Sequence, residues 1–409
     1  MSRDVADRHP VTTWLAILGI GEDGALGPEA ERLLEEATLV VGGARHLALA
    51  GARVRGRAMP WPQPMLNGVS ALLAHRPGRA VVLASGDPMW FGVGTTLLRH
   101  VPGAQIRTVP AVSCFALAAA RLGWALDDAA CLSCCGRPVA ALRPHVQEGR
   151  RLFVLSGDAG TPAEVAERLV AWGFGGSVVH VLEALGGPSE RVRAGVPEAM
   201  PEGIGVLNML GIEVRGGLGL ALTPGLEDGL FEHDGQITKR EVRALTLSAL
   251  GPRPGEMLWD VGCGSGSVGI EWMLRDASCR AVGLEAQADR AARARANAVA
   301  LGVPGLVVVE GRAPDALVTL GAEFEAPDAV FLGGGAQRVG VIEAAWAALR
   351  PGGRLVANAV VLATEVALVA AQARFGGSLL RVGLERLDLV GGMAAYRPAM
   401  TVTQWTVTK

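Results

Sequence analysis

The segment MLWDVGCGSGSVGIEWMLR (257–275) constrains the fold of this chain more than any other. An apolar run, an acidic residue, three glycines at alternate positions and the first turns of a helical pattern follow one another without a gap. That order predicts a strand, a tight turn and a helix. Glycines at 262, 264 and 266 let the backbone turn sharply and approach a ligand with no Cβ in the way. A strand that feeds a helix this directly belongs to a wound, mostly parallel sheet, and the rest of the chain agrees.

Apolar strand-like runs alternate with helix-like segments from end to end. In the first half LAILGI (15–20), ATLVVGG (37–43), RAVVLASGD (79–87), RRLFVLSGD (150–158) and SVVHVLEAL (177–185) read as strands, and PAEVAERLVAWG (162–173) as a helix. A Gly-rich stretch, 213–229, interrupts the pattern and reads as a connection. The second half restarts with the helix TKREVRALTLSAL (238–250). Strands CRAVGLE (279–285), LVVVEG (306–311), DAVFLGGG (328–335) and GRLVANAVV (353–361) follow, interleaved with helices 288–302 and 337–350. The tail from Leu379 reads as two long antiparallel strands. The expected division is therefore a domain over 1–212, a linker over 213–229 and a second α/β domain over 230–409. A length of 409 residues allows two or three domains, which fits.

Composition narrows the classes of function. Half the residues are hydrophobic and 19% are charged, which excludes a disordered chain. The net charge of −2 offers no basic excess for nucleic acid, so no nucleic-acid partner is expected. The longest apolar stretch, 355–375, is broken by Asn358, Thr364 and Glu365 and reads as a buried strand and a helix rather than a membrane span. MSRDVADRHPVTTW at the start has no apolar leader pattern, so a soluble, cytoplasmic protein is expected. Six cysteines are too few for a disulfide framework. The cluster CLSCC (131–135) holds one CxxC with no second pair of ligands, so no metal is expected and the thiols read as small buried side chains. Of the 38 basic residues only Lys239 and Lys409 are lysines. Lys239 therefore stands out in a chain that otherwise uses Arg, which suggests a need for a compact ammonium.

The glycine loop admits two ligands. Gly264-Ser-Gly266-Ser-Val-Gly269 fits the dinucleotide spacing GxGxxG, and a nicotinamide-dependent oxidoreductase is one alternative. A pyrophosphate, however, would be repelled by Asp260 just before the loop. S-Adenosylmethionine (SAM) has no phosphate and carries a positive ammonium and sulfonium. At an effective dielectric of about 20, opposite charges about 4 Å apart attract by about 4 kcal/mol before desolvation, so the sign decides. Glu285, at the end of the next strand, suits the two ribose hydroxyls, and Glu310-Gly311-Arg312-Ala313 ends a third strand where backbone groups could hold an adenine. The order of these features favours SAM.

WDVGCGSGSVGIEW, GLEAQADRAARARANA, VVVEGRAPDAL, FLGGG and FEHDGQITKREVRAL resemble the decarboxylating precorrin methyltransferase domain, a class I Rossmann-like SAM enzyme of vitamin B12 synthesis. The resemblance covers about residues 227–409. It implies cofactor contacts from Thr238, Gly262, Cys263, Gly264, Ser265, Gly266, Glu285 and Ala313, alongside the acid Asp260. In the first half, LGIGEDG, VVLASGDPMWFGVG, PAVSCFALAAARLGWALDDA, TPAEVAERLVAWG and EALGGPSERV resemble the tetrapyrrole methylase family, whose fold is a two-lobed α/β domain. That likeness implies SAM contacts from Gly86, Asp87, Trp90 and Ser113. Together the two resemblances imply a bifunctional enzyme that methylates precorrin-6B at ring carbons 5 and 15 and removes carbon dioxide from the ring-C acetate, giving precorrin-8. Lys239, Arg240 and Arg243 are the candidates for holding substrate carboxylates, and relatives of both domains imply a homo-oligomer. Another small-molecule methyltransferase remains the other alternative.

Overall fold

In the computed structural model, which describes residues 13–409, the chain forms two compact units. The first comprises residues up to Val139 and Gln147–Gly217, and the second Ala140–Val146 and Leu218–Lys409. Within the described residues no helix is long and apolar enough to cross a membrane. The opening stretch 1–12, where no leader is expected, lies outside the described residues.

The first unit contains two five-stranded sheets. Strands β1 (Leu15–Ile20), β2 (Leu39–Gly42), β3 (Arg57–Pro60), β4 (Ala80–Ser85) and β5 (Ile106–Val109) form an all-parallel sheet in the order β3-β2-β4-β1-β5. β1 and β2 are buried along their whole length, as a parallel strand covered by helices on both faces must be. Strands β6 (Ala129–Ser133), β7 (Arg151–Leu155), β8 (Val178–Glu183), β9 (Arg191–Gly195) and β10 (Asn208–Glu213) form the second sheet, in the order β6-β7-β10-β8-β9. Only β6 and β7 pair in parallel here, and the other pairings are antiparallel. The predicted helix is present as Thr161–Ala171, with Pro162 in its first turn, where the missing N–H costs nothing.

The second unit is built on strands β11 (Met257–Val261), β12 (Arg280–Glu285), β13 (Val307–Glu310), β14 (Ala329–Leu332), β15 (Arg354–Ala359), β16 (Ser378–Val382), β17 (Glu385–Val390), β18 (Met393–Pro398) and β19 (Val402–Thr408). Seven of them form one sheet, β13-β12-β11-β14-β15-β19-β16, in which β11 to β15 run parallel and β19 is antiparallel to both its neighbours. The strand order reverses beside β11, and the glycine loop leaves β11 at that reversal. The crevice outside the carboxyl ends of the strands at such a switch point is where wound sheets bind ligands.

Three expectations change. The tail is not two long strands but four short ones, because Gly383 and the segment 399–401 break it. Its inner pair, β17 and β18, leaves the main sheet as a separate ribbon. The stretch 213–229 is more than a connection, since Leu220 and Leu226 are buried in the core of the second unit with Phe231, Leu247 and Trp272. Among the CLSCC thiols only Cys134 is buried. Cys131 is partly covered, and Cys135 is exposed at the turn after β6.

Candidate functional site

A cavity of about 820 Å³ opens over the carboxyl ends of β11, β12, β14 and β15 and the loop after β13. Its lining includes Thr238, Lys239, Gly262, Cys263, Gly264, Ser265, Glu285 and Ala313, so one site gathers most of the residues the second half nominated. All three loop glycines have positive φ: +72° at Gly262, +57° at Gly264 and +77° at Gly266. Their roles differ. A Cβ on Gly262 would come within 3.3 Å of the Gly334 backbone nitrogen across the pocket floor. A Cβ on Gly266 would press to 3.1 Å from Ala294 Cβ, so this glycine lets the loop seat on the helix Ala288–Ala300 and does not line the pocket.

Glu285 is 5% exposed and sits at the pocket edge. Its carboxylate accepts the Gly264 N–H at 2.9 Å and the Gln287 N–H at 3.0 Å. The acid that suits a ribose thus also fixes the glycine loop against the end of β12. Asn297, which sequence reasoning missed, completes that support. Its amide donates to the Ser265 and Glu232 carbonyls and accepts the Glu232 N–H at 2.8 Å. Buried, with every polar atom used, it ties the loop to the segment leading to Thr238.

Asp260 takes a different place from the one expected. Its carboxylate lies beneath the loop, 1% exposed, rather than on the pocket wall. Oδ2 accepts the Gly269 N–H at 3.0 Å, while Oδ1 is buried with no hydrogen-bond partner. Burial pushes the carboxyl up to about 7; the Gly269 N–H opposes this and nearby Glu285 adds to it. A carboxyl with a raised folded-state value stabilises fully below the ordinary carboxylate range, near pH 4, and that contribution is lost as pH rises through about 7. Asp260→Asn should therefore flatten the fall in melting temperature of the second unit between about pH 4 and pH 7. Melts of both proteins across that range check this, and parallel curves would show that Asp260 does not titrate there.

The carboxylate-binding candidates separate. Lys239 lines the pocket, at the residue before the helix Arg240–Leu250, with Nζ 3.8 Å from Asp228. Arg240 turns away to pair with Glu227. Arg243 is fully buried and cannot meet a substrate. It pairs with the equally buried Glu271 and with Asp228, donates to the Thr238 and Leu226 carbonyls, and lies 4.8 Å over the Phe231 ring. Glu271 in turn accepts the N–H groups of Gly225 and Leu226 at 2.7 and 2.9 Å. Arg243 therefore anchors the strap 225–238 under the site.

In the first unit the ends of β1, β4 and β5 converge. Gly86, at φ +55°, accepts the Ala111 N–H on its carbonyl at 3.0 Å, and a Cβ on it would lie 3.1 Å from Ser113 Cα. Gly86 and Ser113 are therefore neighbours. Ser113 caps the helix Cys114–Leu122 by accepting the Ala116 N–H at 3.1 Å. Asp87 closes its own turn through the Met89 N–H at 2.8 Å, and the exposed Trp90 ring stands 5.6 Å from Phe115. A second cluster at this end of the sheet had no sequence signal. Arg45 pairs with Glu22 and donates to Ser85 Oγ at 2.7 Å, and His46 Nε2 lies 2.8 Å from the same oxygen. Burial, with the Arg45 guanidinium beside it, holds His46 down to about 4, so its imidazole is neutral at physiological pH.

Known proteins align with both units. A family model for tetrapyrrole (corrin/porphyrin) methylases matches residues 15–200, and one for the precorrin methyltransferase domain matches residues 229–409. A precorrin-6Y C(5,15)-methyltransferase [decarboxylating] from Sinorhizobium sp. is 52% identical over 99% of this chain and 99% of its own length. A protein of the same name from Mycobacterium tuberculosis is 40% identical over 97% of this chain and all of its own. Among solved structures, the C-terminal domain of precorrin-6Y C5,15-methyltransferase from Rhodobacter capsulatus is 42% identical, with a TM-score of 0.43, and covers 46% of this chain and all of its own. Relatives that align from end to end, through both units in the same order, leave one conclusion: the chain belongs to the decarboxylating precorrin-6Y C(5,15)-methyltransferase family.

Proposed function

We propose that the chain is a bifunctional, SAM-dependent C-methyltransferase and decarboxylase. It methylates precorrin-6B at carbons 5 and 15 and releases carbon dioxide from the ring-C acetate, giving precorrin-8. The observation that carries this reading is the 52% identity maintained across both units to a protein named for both activities. The second unit is assigned the carbon-15 methylation and the decarboxylation, and the first unit the carbon-5 methylation.

The pocket of the second unit fits SAM by its own chemistry. The loop has open backbone where a side chain would fill the cradle, and the carboxylate at its edge suits ribose hydroxyls. When bound, SAM supplies an electrophilic methyl group on sulfur. Gly262, Cys263, Gly264 and Ser265 would hold its methionine end through backbone groups, Glu285 its ribose, and Ala313 its adenine. Thr238 would close the near wall. In the first unit Gly86, Asp87, Trp90 and Ser113 are assigned to a second SAM. The ring carbon of the reduced tetrapyrrole supplies the electron pair, so the protein's main task is alignment of that carbon with the methyl group. Orientation of this kind can contribute about 7–11 kcal/mol. Loss of carbon dioxide leaves an electron pair that the conjugated, protonated macrocycle accepts, so the site needs only to hold the acetate and exclude water.

The same reading takes the chain as a cytoplasmic homo-oligomer. The ribbon β17–β18 supports the oligomer, since Leu387, Leu389 and Tyr396 share one exposed apolar face. Calorimetric titration of the full chain tests the cofactor assignment. Two SAM bound per chain and no heat with NADH are expected, and a single SAM site per chain would refute the two-site reading.

A further inference from the structure

The cavity of the second unit has a floor and a mouth of opposite character. The floor, formed by the glycine loop, Glu285 and Ala313, carries one acid and suits a small cationic ligand. The mouth is lined by the basic residues Lys239, Arg290, Arg312, Arg338 and Arg386. Three of these already face an acid, for Lys239 lies near Asp228, Arg290 pairs with Asp234, and Arg386 pairs with Glu241. Among the described residues, the guanidinium groups of Arg312 and Arg338 have neither an ion pair nor a hydrogen bond, and both side chains are exposed. Their loops adjoin, since a Cβ on Gly340 would lie 3.6 Å from Pro314. Two unneutralised cations therefore stand on neighbouring loops at the lip of the site.

The lip is also apolar. Val360, Val361 and Met400 line the same cavity, and they are 49%, 51% and 70% exposed. Apolar surface gathered at a cavity mouth marks a site that a ligand covers. An apolar shelf flanked by free guanidinium groups matches a flat, largely apolar ring system that bears carboxylates at its edge. The planar guanidinium fork pairs with a carboxylate through two parallel hydrogen bonds, which a compact ammonium cannot do.

We propose that Arg312 and Arg338 bind the peripheral carboxylates of the tetrapyrrole in the second unit, with Val360, Val361 and Met400 against its ring face. This replaces Arg240 and Arg243 in that role, and it rests on the function proposed above. Being unpaired, the two arginines need break no internal ion pair to receive the substrate. They position the macrocycle over the cofactor pocket and do not contact the cofactor.

The test uses the full chain and the variants Arg312→Gln, Arg338→Gln and the double variant, with Arg312→Lys and Arg338→Lys as conservative controls. KM for precorrin-6B is read from carbon dioxide release, the reaction assigned to this unit, and SAM affinity is read by calorimetry. Each Gln variant should raise KM about tenfold, the size expected for one charge-assisted contact. SAM affinity should stay within about twofold, and the Lys variants should recover part of the loss. Loss of most of the salt dependence of KM in the double variant would support direct pairing with carboxylates. Unchanged KM, or SAM affinity falling in step with KM, would overturn the assignment. A wild-type chain that releases no carbon dioxide from the tetrapyrrole would instead overturn the function itself, and this assignment with it.

Discussion

Arg243→Met should destabilise the second unit by about 3–5 kcal/mol, the usual cost of removing one partner from a buried ion pair. The variant leaves the Glu271 carboxylate in the core without its cation, and the Leu226 and Thr238 carbonyls lose a donor. For a unit of this size the melting transition should fall by roughly 10 °C. Pairing it with Glu271→Leu should recover only part of the loss. That change removes the stranded charge but leaves the Gly225 and Leu226 N–H groups without an acceptor. Thermal melts of the three proteins check both statements. A single variant within about 1 kcal/mol of wild type would show that the strap 225–238 is held by other contacts.

Glu285→Ala should weaken SAM binding at the second unit by about two orders of magnitude, because a ribose loses two charge-assisted hydrogen bonds worth about 1.5 kcal/mol or more each. The loop also loses the clamp on Gly264. Carbon dioxide release should fall in parallel at limiting SAM, while methylation by the first unit continues. Glu285→Gln keeps the shape without the charge and should fall between the two. Calorimetry and product analysis separate the effects. Equal loss of both methylations would place Glu285 in a general structural role.

The parallel strands were legible because a strand buried on both faces must be almost wholly apolar, as LAILGI and ATLVVGG are. β3, β5, β6, β9 and β10 were not. The first four are the edge strands of the two sheets of the first unit, mostly exposed or half-buried, with little apolar alternation to announce them. β10, though central and buried, opens on Asn208 and is interrupted by Gly211. The glycine loop and Glu285 were legible because the turn and the next strand end lie close in sequence and the fold fixes their relation. Arg243, Glu271, Asp228 and Asn297 act across separations that only tertiary packing closes. Pattern reading therefore placed Arg243 with the exposed cations, and Asn297 went unnoticed. Asp260 shows the same limit in another form, since its position in the loop was visible but its burial beneath the loop was not. Lys239, distinctive as the lone internal lysine, does line the pocket, yet the unpaired cations at its mouth are the arginines at 312 and 338.

The proposed function is two methyl transfers and one decarboxylation by a single chain. Mass analysis of the product formed from precorrin-6B and excess SAM tests it most directly. A macrocycle that has gained two methyl groups and lost one carbon dioxide is expected. A product with a single added methyl, or one with both methyls and every carboxylate retained, would contradict it.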